Sequence, residues 1–173
     1  MTTTARTTRA AWPIVAAAAL ALLAGCAAPA PTNGATAPQP TAGGACEQVS
    51  VIVDFGPLDE PSIAACAAAG PALDVLDEAG VVTEGTADYG NAVVCRVNNA
   101  PAPDETVELE GEAPFTESCA TLNSAAYWAL WVKNSPDGQW EYAQAGVDVL
   151  ELADGQSVGL VYTPGTESTP PQD

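Results

Sequence analysis

The chain has 173 residues, of which 47% are hydrophobic but only 6% aromatic, with 22 Asp or Glu against four Lys or Arg, a net charge of −18 and no histidine. This acidity excludes nucleic acid as a partner, because phosphate contacts need clustered Lys and Arg. Without histidine there is no Ser-His or Cys-His nucleophile pair, so we expect no enzymatic activity and no catalytic residues.

Residues 1–25 predict a lipoprotein signal peptide. Arg6 and Arg9 give it a positive start, and the apolar run that begins at Ala11 is shorter than the roughly 20 residues that span a bilayer. Leu23-Ala24-Gly25-Cys26 matches the bacterial lipobox, so we expect cleavage before Cys26 and acylation of its thiol, including palmitate. A plain signal peptide with an incidental cysteine is the alternative. Lipid on Cys26 predicts attachment to the extracytoplasmic face of the cell membrane.

Cys26 is followed by an Ala/Pro/Thr-rich stretch that extends to residue 44 and lacks apolar periodicity. Such a stretch cannot bury enough surface to fold, so residues 26–44 predict a disordered spacer. Residues 164–173 predict a similar disordered tail. The folded domain is therefore expected at residues 45–163.

Four cysteines fall in that domain: Cys46, Cys66, Cys95 and Cys119. An even number in an exported domain predicts two disulfides, for which three pairings exist. The pairing of sequence neighbours, Cys46–Cys66 and Cys95–Cys119, is favoured. A zinc site is the alternative, but the chain has no CxxC spacing and no histidine, so we expect no metal there.

The first half of the domain predicts two strands and one helix. Alternating apolar residues predict a strand over residues 49–55, and the Ala-rich residues 61–69 predict a helical turn or a loop. Residues 71–79 predict a helix with Pro71 near its first turn and Gly80 as its stop. Its apolar face is expected to hold Leu73, Leu76 and either Ala79 or Ala72. Residues 92–97 predict a strand that ends at Asn98-Asn99.

The second half is expected to be mostly strand. Residues 106–110 alternate apolar and acidic side chains and predict an exposed edge strand. Residues 125–133 and 139–143 flank a turn at residues 134–138, where Pro136 presets φ and Gly138 is expected to take a positive φ. After a turn at residues 154–155, residues 157–162 predict the last strand. One helix and four to six mostly antiparallel strands define an α+β fold.

Acidic side chains are dense in one part of this half. They could bind calcium but lack its loop spacing, so a solvated acidic surface is the favoured interpretation; they are Asp104, Glu105, Glu108, Glu110 and Glu112.

Large aromatic side chains concentrate in the hairpin. Because side chains alternate along a strand, Trp128 should point into the core, whereas Tyr127 and Trp131 should share the opposite face. Trp140 and Tyr142 share a face of the next strand. These four outer residues, Tyr127, Trp131, Trp140 and Tyr142, either close a small core or form an exposed platform for a ligand or a partner protein.

The same hairpin and the elements before it resemble a known family. Tyr127-Trp128, Gly146-Val147, Asp154-Gly155 and Tyr162 resemble the C-terminal domain of transcobalamin and intrinsic factor. The segments 51–56, 72–76 and 94–98 resemble bacterial secreted domains of unknown function related to it, of an actinobacterial lipoprotein type. The resemblance implies a β-grasp-like fold and capture of a small ligand, with cobalamin or another corrinoid as the candidate and no other cofactor.

Three functions are compatible with these features. The first is a membrane-tethered module that captures a small ligand. The second is a docking module for another cell-envelope protein, which would use the same aromatic residues. The third is a structural envelope lipoprotein without a specific ligand, which is expected if those aromatic side chains are buried.

Overall fold

The computed structural model describes residues 46–165 and 168–172. The predicted signal peptide, Cys26 and the predicted spacer lie outside the described residues. Within these ranges, no helix has both the length and the apolar character that a membrane span requires.

The described chain contains one α-helix and short and long strands around it. In chain order the elements are β1 (Val49–Asp54), a 3-10 turn (Gly56–Leu58), β2 (Ile63–Ala67), β3 (Gly70–Pro71), α1 (Ala72–Glu78), β4 (Thr83–Thr86), β5 (Gly90–Val97), β6 (Ala126–Lys133), β7 (Trp140–Tyr142), β8 (Glu151–Leu152) and β9 (Ser157–Pro164). The expected α+β class is confirmed.

The main sheet has five strands in the order β2-β1-β9-β6-β7. Strands β1 and β9 run parallel, with Val51 opposite Val158, and every other neighbouring pair in this sheet is antiparallel. Two antiparallel ribbons, β3 with β8 and β4 with β5, lie beside it in the described structure. The eight-residue strand β9 is central in this order, between β1 and β6, and these three strands provide the floor of the core.

The core lies on one face of the main sheet. The predicted alternation of β1 is confirmed, because Val49, Val51 and Val53 are all fully buried. They join Val158, Leu160, Tyr162 and Trp128 of the neighbouring strands in one apolar cluster. Burying a side chain such as Val contributes about 1.5–3 kcal/mol, so this face drives the folding of the sheet.

The prediction of a helical turn or loop over residues 61–69 is wrong, because β2 occupies that stretch. Its sequence Ile-Ala-Ala-Cys-Ala has little intrinsic strand preference. The strand forms because it pairs antiparallel with β1, from Ile63 opposite Val53 to Ala67 opposite Val49. A disulfide from Cys66 to Cys46 adds a covalent link at the same place.

Helix α1 is confirmed in position and in its end signals. Pro71 is its N-cap residue, and Gly80 follows the helix with φ of +76°. The face it buries differs slightly from the expected one: Ala72, Val75 and Leu76 are buried, whereas Leu73 is only partly covered. The helix closes the core against the main sheet.

Both predicted disulfides are present, in the favoured pairing. The Cα atoms are 5.9 Å apart in Cys46–Cys66 and 5.5 Å apart in Cys95–Cys119, within the ordinary range. The second bridge ties β5 to the long connection 98–125, where the described structure has no regular strand.

The predicted edge strand at residues 106–110 is wrong, since only a single bridge joins Val107 to Phe115. The alternation that suggested a strand instead buries Val107 in the core and leaves the acidic residues outside. Gly111, with φ of +86°, turns the chain back before a longer ladder can form.

The hairpin β6–β7 and the last strand β9 are confirmed. Gly138, however, does not have the positive φ expected of it. Glycine fits this position for a different reason: the chain passes close to Ser135, and an added Cβ would stand 3.0 Å from the Ser135 carbonyl oxygen. Gly155 in the following turn does have a positive φ, of +80°.

Candidate binding site

Strand β6 sorts its aromatic side chains between the two faces of the main sheet. Trp128 is buried in the core, where its ring centroid lies 5.3 Å from those of Phe55 and Tyr162. Trp131 lies on the opposite, outer face, in a second apolar cluster with Ala129 and Val161. The strand periodicity therefore predicted the face of each aromatic residue correctly.

Pairing between β6 and β7 brings the other two candidate residues to the outer face. Trp131 stands opposite Tyr142 and Lys133 opposite Trp140. The rings of Trp131 and Tyr142 stack with centroids 4.0 Å apart and planes 23° from parallel. The Lys133 ammonium lies 5.1 Å from the Trp140 ring centre, a cation–π distance. All four candidates, Tyr127, Trp131, Trp140 and Tyr142, thus form one surface, here called the aromatic face.

The aromatic face is only partly open to solvent. Trp131 is 6% exposed, whereas Tyr142 is 43% exposed and Tyr127 and Trp140 are half-buried. The hydroxyl oxygens of Tyr127 and Tyr142 lie 3.5 Å apart. This hydrogen bond and burial raise the pKa of Tyr127 above its ordinary value. Tyr142 is therefore the most accessible of the four residues, and its ring lies on the buried ring of Trp131.

Part of the chain end covers the aromatic face. Residues 168–172, which lie within the expected disordered tail, are placed against it, and Pro171 is buried. Gly159 of β9 makes the room: an added Cβ would overlap the Pro171 ring and stand 3.3 Å from the Trp140 ring. Ser168 contributes a buried hydroxyl near Tyr127, which offsets part of the rise in the pKa of that phenol. Sequence reasoning missed this contact, although Gly159 within a strand signals a close approach.

A cleft of about 320 Å³ borders the aromatic face at the edge of the main sheet. It is lined by residues 127–130 of β6, by residues 142–146 and by Ala92 of β5. We call it the edge cleft. It exists because β7 pairs only with residues 131–133 of β6, and the chain then turns away after Ala143.

The backbone of β6 is therefore open along this cleft. The Leu130 carbonyl accepts a hydrogen bond from the Ala143 N–H on the β7 side, whereas the Ala125 carbonyl accepts from Gly165 on the β9 side. In an antiparallel strand the N–H and C=O of one residue point to the same side, and alternate residues share a side. The N–H and C=O of Trp128 consequently face the edge cleft, where they meet no backbone partner among the described residues.

A metal centre is not indicated by the described residues. The group of candidate ligands found among them consists of Glu84, Cys95 and Cys119. Both cysteines form a disulfide with each other, so neither offers a thiolate. The acidic residues 104–112 do not form such a group in the described structure.

No family model, curated protein or solved structure matches this chain.

Proposed function

We propose that the chain is an extracytoplasmic lipoprotein, tethered through lipid on Cys26, whose folded domain docks an extended segment of another cell-envelope protein. The lipobox at residues 23–26 supports the tether. The open backbone of β6 at Trp128 is the observation that carries the docking role.

The arrangement of strands supports a β-grasp assignment for the domain. The hairpin β1–β2 is followed by helix α1, and the last strand, β9, lies parallel to β1 in the middle of the sheet. A sheet of this kind ends at β6 and β7 on one side, which leaves that edge available to a further strand.

Strand addition fits the chemistry of the edge cleft. An extended peptide can satisfy the Trp128 N–H and C=O by continuing the ladder that β7 leaves unfinished. Tyr127 and Tyr142 line the same cleft and offer apolar ring surface with a polar end, as is common in protein interfaces. Backbone hydrogen bonds would give affinity, and the two rings would select side chains.

A corrinoid, the ligand implied by the family resemblance, fits the edge cleft less well. Sites for small molecules usually enclose roughly 300–1,000 Å³ and bury most of the ligand. At about 320 Å³ and open on one side, the cleft would cover only an edge of so large a ring system. We therefore propose a peptide segment as the ligand.

The test combines capture with a cleft-filling variant. A photo-crosslinking residue at the exposed Gln144 should capture a partner in intact cells, and the purified partner should bind the wild-type domain. Ala145→Trp, which fills the cleft, should weaken that binding by at least about tenfold. Val82→Trp, at an exposed position that does not line the cleft, should leave it unchanged.

Two results would contradict the docking role. The first is equal binding of the captured protein to the Ala145→Trp variant. The second is calorimetric binding of cobalamin or cobinamide at micromolar concentration or tighter, abolished by the same substitution, which would restore small-ligand capture as the function.

A further inference from the structure

We propose that the aromatic face is a receptor groove for a proline-rich segment of a partner protein, and that residues 168–172 of the chain occupy it in cis. This proposal concerns the outer face of the main sheet and goes beyond docking at its edge. The tail segment would then be a built-in competitor that a partner must displace.

Gly159 forms a notch that receives a proline ring. It lies inside the eight-residue strand β9, where glycine is normally unfavourable, and it stands opposite Trp131. Pro171 is buried directly over it, with the Trp140 ring beside the same notch. Grooves lined by aromatic rings bind proline-rich segments, and the absence of a side chain at Gly159 leaves room for the ring.

The occupant has the composition that suits such a groove. Residues 168–172 read Ser-Thr-Pro-Pro-Gln, and consecutive prolines favour the extended polyproline II conformation. This conformation is already ordered before binding and leaves its carbonyl groups free, which is why aromatic-lined grooves bind it.

The tail segment leaves two hydrogen-bond donors of the aromatic face without an acceptor. The indole N–H groups of Trp131 and Trp140 are buried, and neither has an acceptor among the described residues. A peptide whose backbone carbonyls reach these two donors would gain hydrogen bonds that the cis occupant lacks. The tail segment is therefore an imperfect ligand, and a better one can replace it.

Attachment explains why an imperfect ligand still occupies the groove. A segment joined to the domain by a few residues is present at a local concentration on the order of millimolar. A partner peptide must compete with the tail segment. Substitutions that weaken binding of the tail to the groove should therefore raise the apparent affinity of the partner peptide.

The experiment uses the full chain with Cys26→Ser, so that no lipid is added, and compares it with the same chain carrying Pro170→Ala and Pro171→Ala. The probe is the synthetic peptide Ser-Thr-Pro-Pro-Gln-Asp, and its control has alanine in place of both prolines. Binding is followed by the NMR signals of the Trp131 and Trp140 indole N–H groups. We expect the tail variant to bind the proline peptide at least about tenfold more tightly than the chain with the native tail, and the alanine peptide not at all.

A second variant tests the groove in its native chain. Gly159→Ala should expel Pro171, so the NMR cross-peaks between the Pro171 and Trp140 rings, which meet at Gly159, should disappear while the amides of β6 and β9 stay protected from exchange. Added to the tail variant, it should abolish peptide binding. Ala145→Trp should leave that binding intact, which separates this proposal from docking at the edge cleft.

Three outcomes would overturn the proposal. One is that the indole signals of the tail variant do not respond to millimolar proline peptide. Another is that the tail substitutions unfold the domain, which would make the segment part of the core. The third is that Gly159→Ala leaves the cross-peaks between the Pro171 and Trp140 rings as strong as before.

Discussion

Tyr162 is a core residue whose buried hydroxyl makes the stability of the domain depend on pH. It is 2% exposed, and its hydroxyl has no hydrogen-bonding partner among the described residues. A cavity of about 10 Å³ adjoins it, roughly the space of one water molecule. Burial raises the pKa of Tyr162 well above its ordinary value, and the nearby carboxylates Glu117 and Glu105 raise it further.

This shift predicts a loss of stability at high pH. The unfolded tyrosine ionises near pH 10, whereas the folded one holds its proton to higher pH. The stabilisation is therefore complete below about pH 10 and decreases above it, by up to about 1.4 kcal/mol per pH unit. Urea unfolding from pH 7 to 11 should show a smaller decrease for Tyr162→Phe than for wild type. Tyr89→Phe, at an exposed tyrosine, should match wild type, and an unchanged alkaline slope in Tyr162→Phe would contradict the assignment.

Arg96 acts at the same scale, and it organises the connection 98–125. Its buried guanidinium donates hydrogen bonds to the Pro101 carbonyl at 2.9 Å and the Glu117 carbonyl at 2.6 Å. It also pairs with Glu84 at 2.9 Å. A long connection without regular strands needs such donors, because its carbonyls have no ladder partners.

Removing the Arg96 guanidinium should lower the free energy of unfolding far more than removing its carboxylate partner Glu84. Arg96→Met leaves two carbonyls without their donor, and we expect it to lower the free energy of unfolding by about 2–5 kcal/mol. Glu84→Gln breaks only the half-exposed ion pair and should cost less than about 1 kcal/mol. Urea unfolding of both variants measures the difference, and similar small losses in the two would refute the ordering role of Arg96.

At the scale of elements, pairing overrides local preference in several places. Strand β2 forms from an alanine-rich sequence because β1 offers it a partner. Residues 106–110 have a better strand pattern but no long partner, so they stay irregular. The same rule explains the edge cleft, since β7 is too short to cover all of β6.

The open half of β6 has a measurable consequence in the free protein. The Trp128 amide faces the edge cleft, whereas the Ala129 amide points toward β9, where Ala129 is opposite Val161. Hydrogen exchange monitored by NMR should therefore be much faster at Trp128 than at Ala129, although both lie inside one strand. Equal protection of the two amides would mean that the edge is already closed and would remove the basis for strand addition.

At the scale of the whole molecule, the acidity of the chain explains why the proposed membrane attachment needs a lipid. With a net charge of −18 the chain gains no attraction to anionic lipid, so the proposed membrane attachment would depend on acylation. Such a tether would hold the domain on the extracytoplasmic side, among other envelope proteins.

Loss of the lipid should therefore release the protein completely. We expect Cys26→Ser to move the chain from the membrane fraction to the soluble extracytoplasmic fraction and to abolish palmitate labelling. Cys46→Ser with Cys66→Ser, which leaves Cys26 in place, serves as the control and should keep the label. Membrane retention of the Cys26→Ser chain would show that another contact holds it there.

The sequence alone determined those features whose signals are local. Alternation predicted β1, turn signals bounded β5, β6 and β9, Pro71 and Gly80 bounded α1, and the two faces of β6 followed from the strand period. The favoured pairing of the four cysteines was also correct, since each bridge joins cysteines fewer than 25 residues apart.

Only the tertiary structure decided which surfaces are covered. Strand periodicity places Trp131 on the outer face, but its cover comes from elsewhere: Tyr142 of β7 stacks on it. Pro171 likewise lies over Gly159, the residue opposite Trp131. The backbone of β6 is open at Trp128 because β7 ends after three residues. The sequence of β6 does not indicate how long its neighbour β7 is. These features depend on contacts between segments distant in sequence, and a local pattern carries no information about which distant segment arrives.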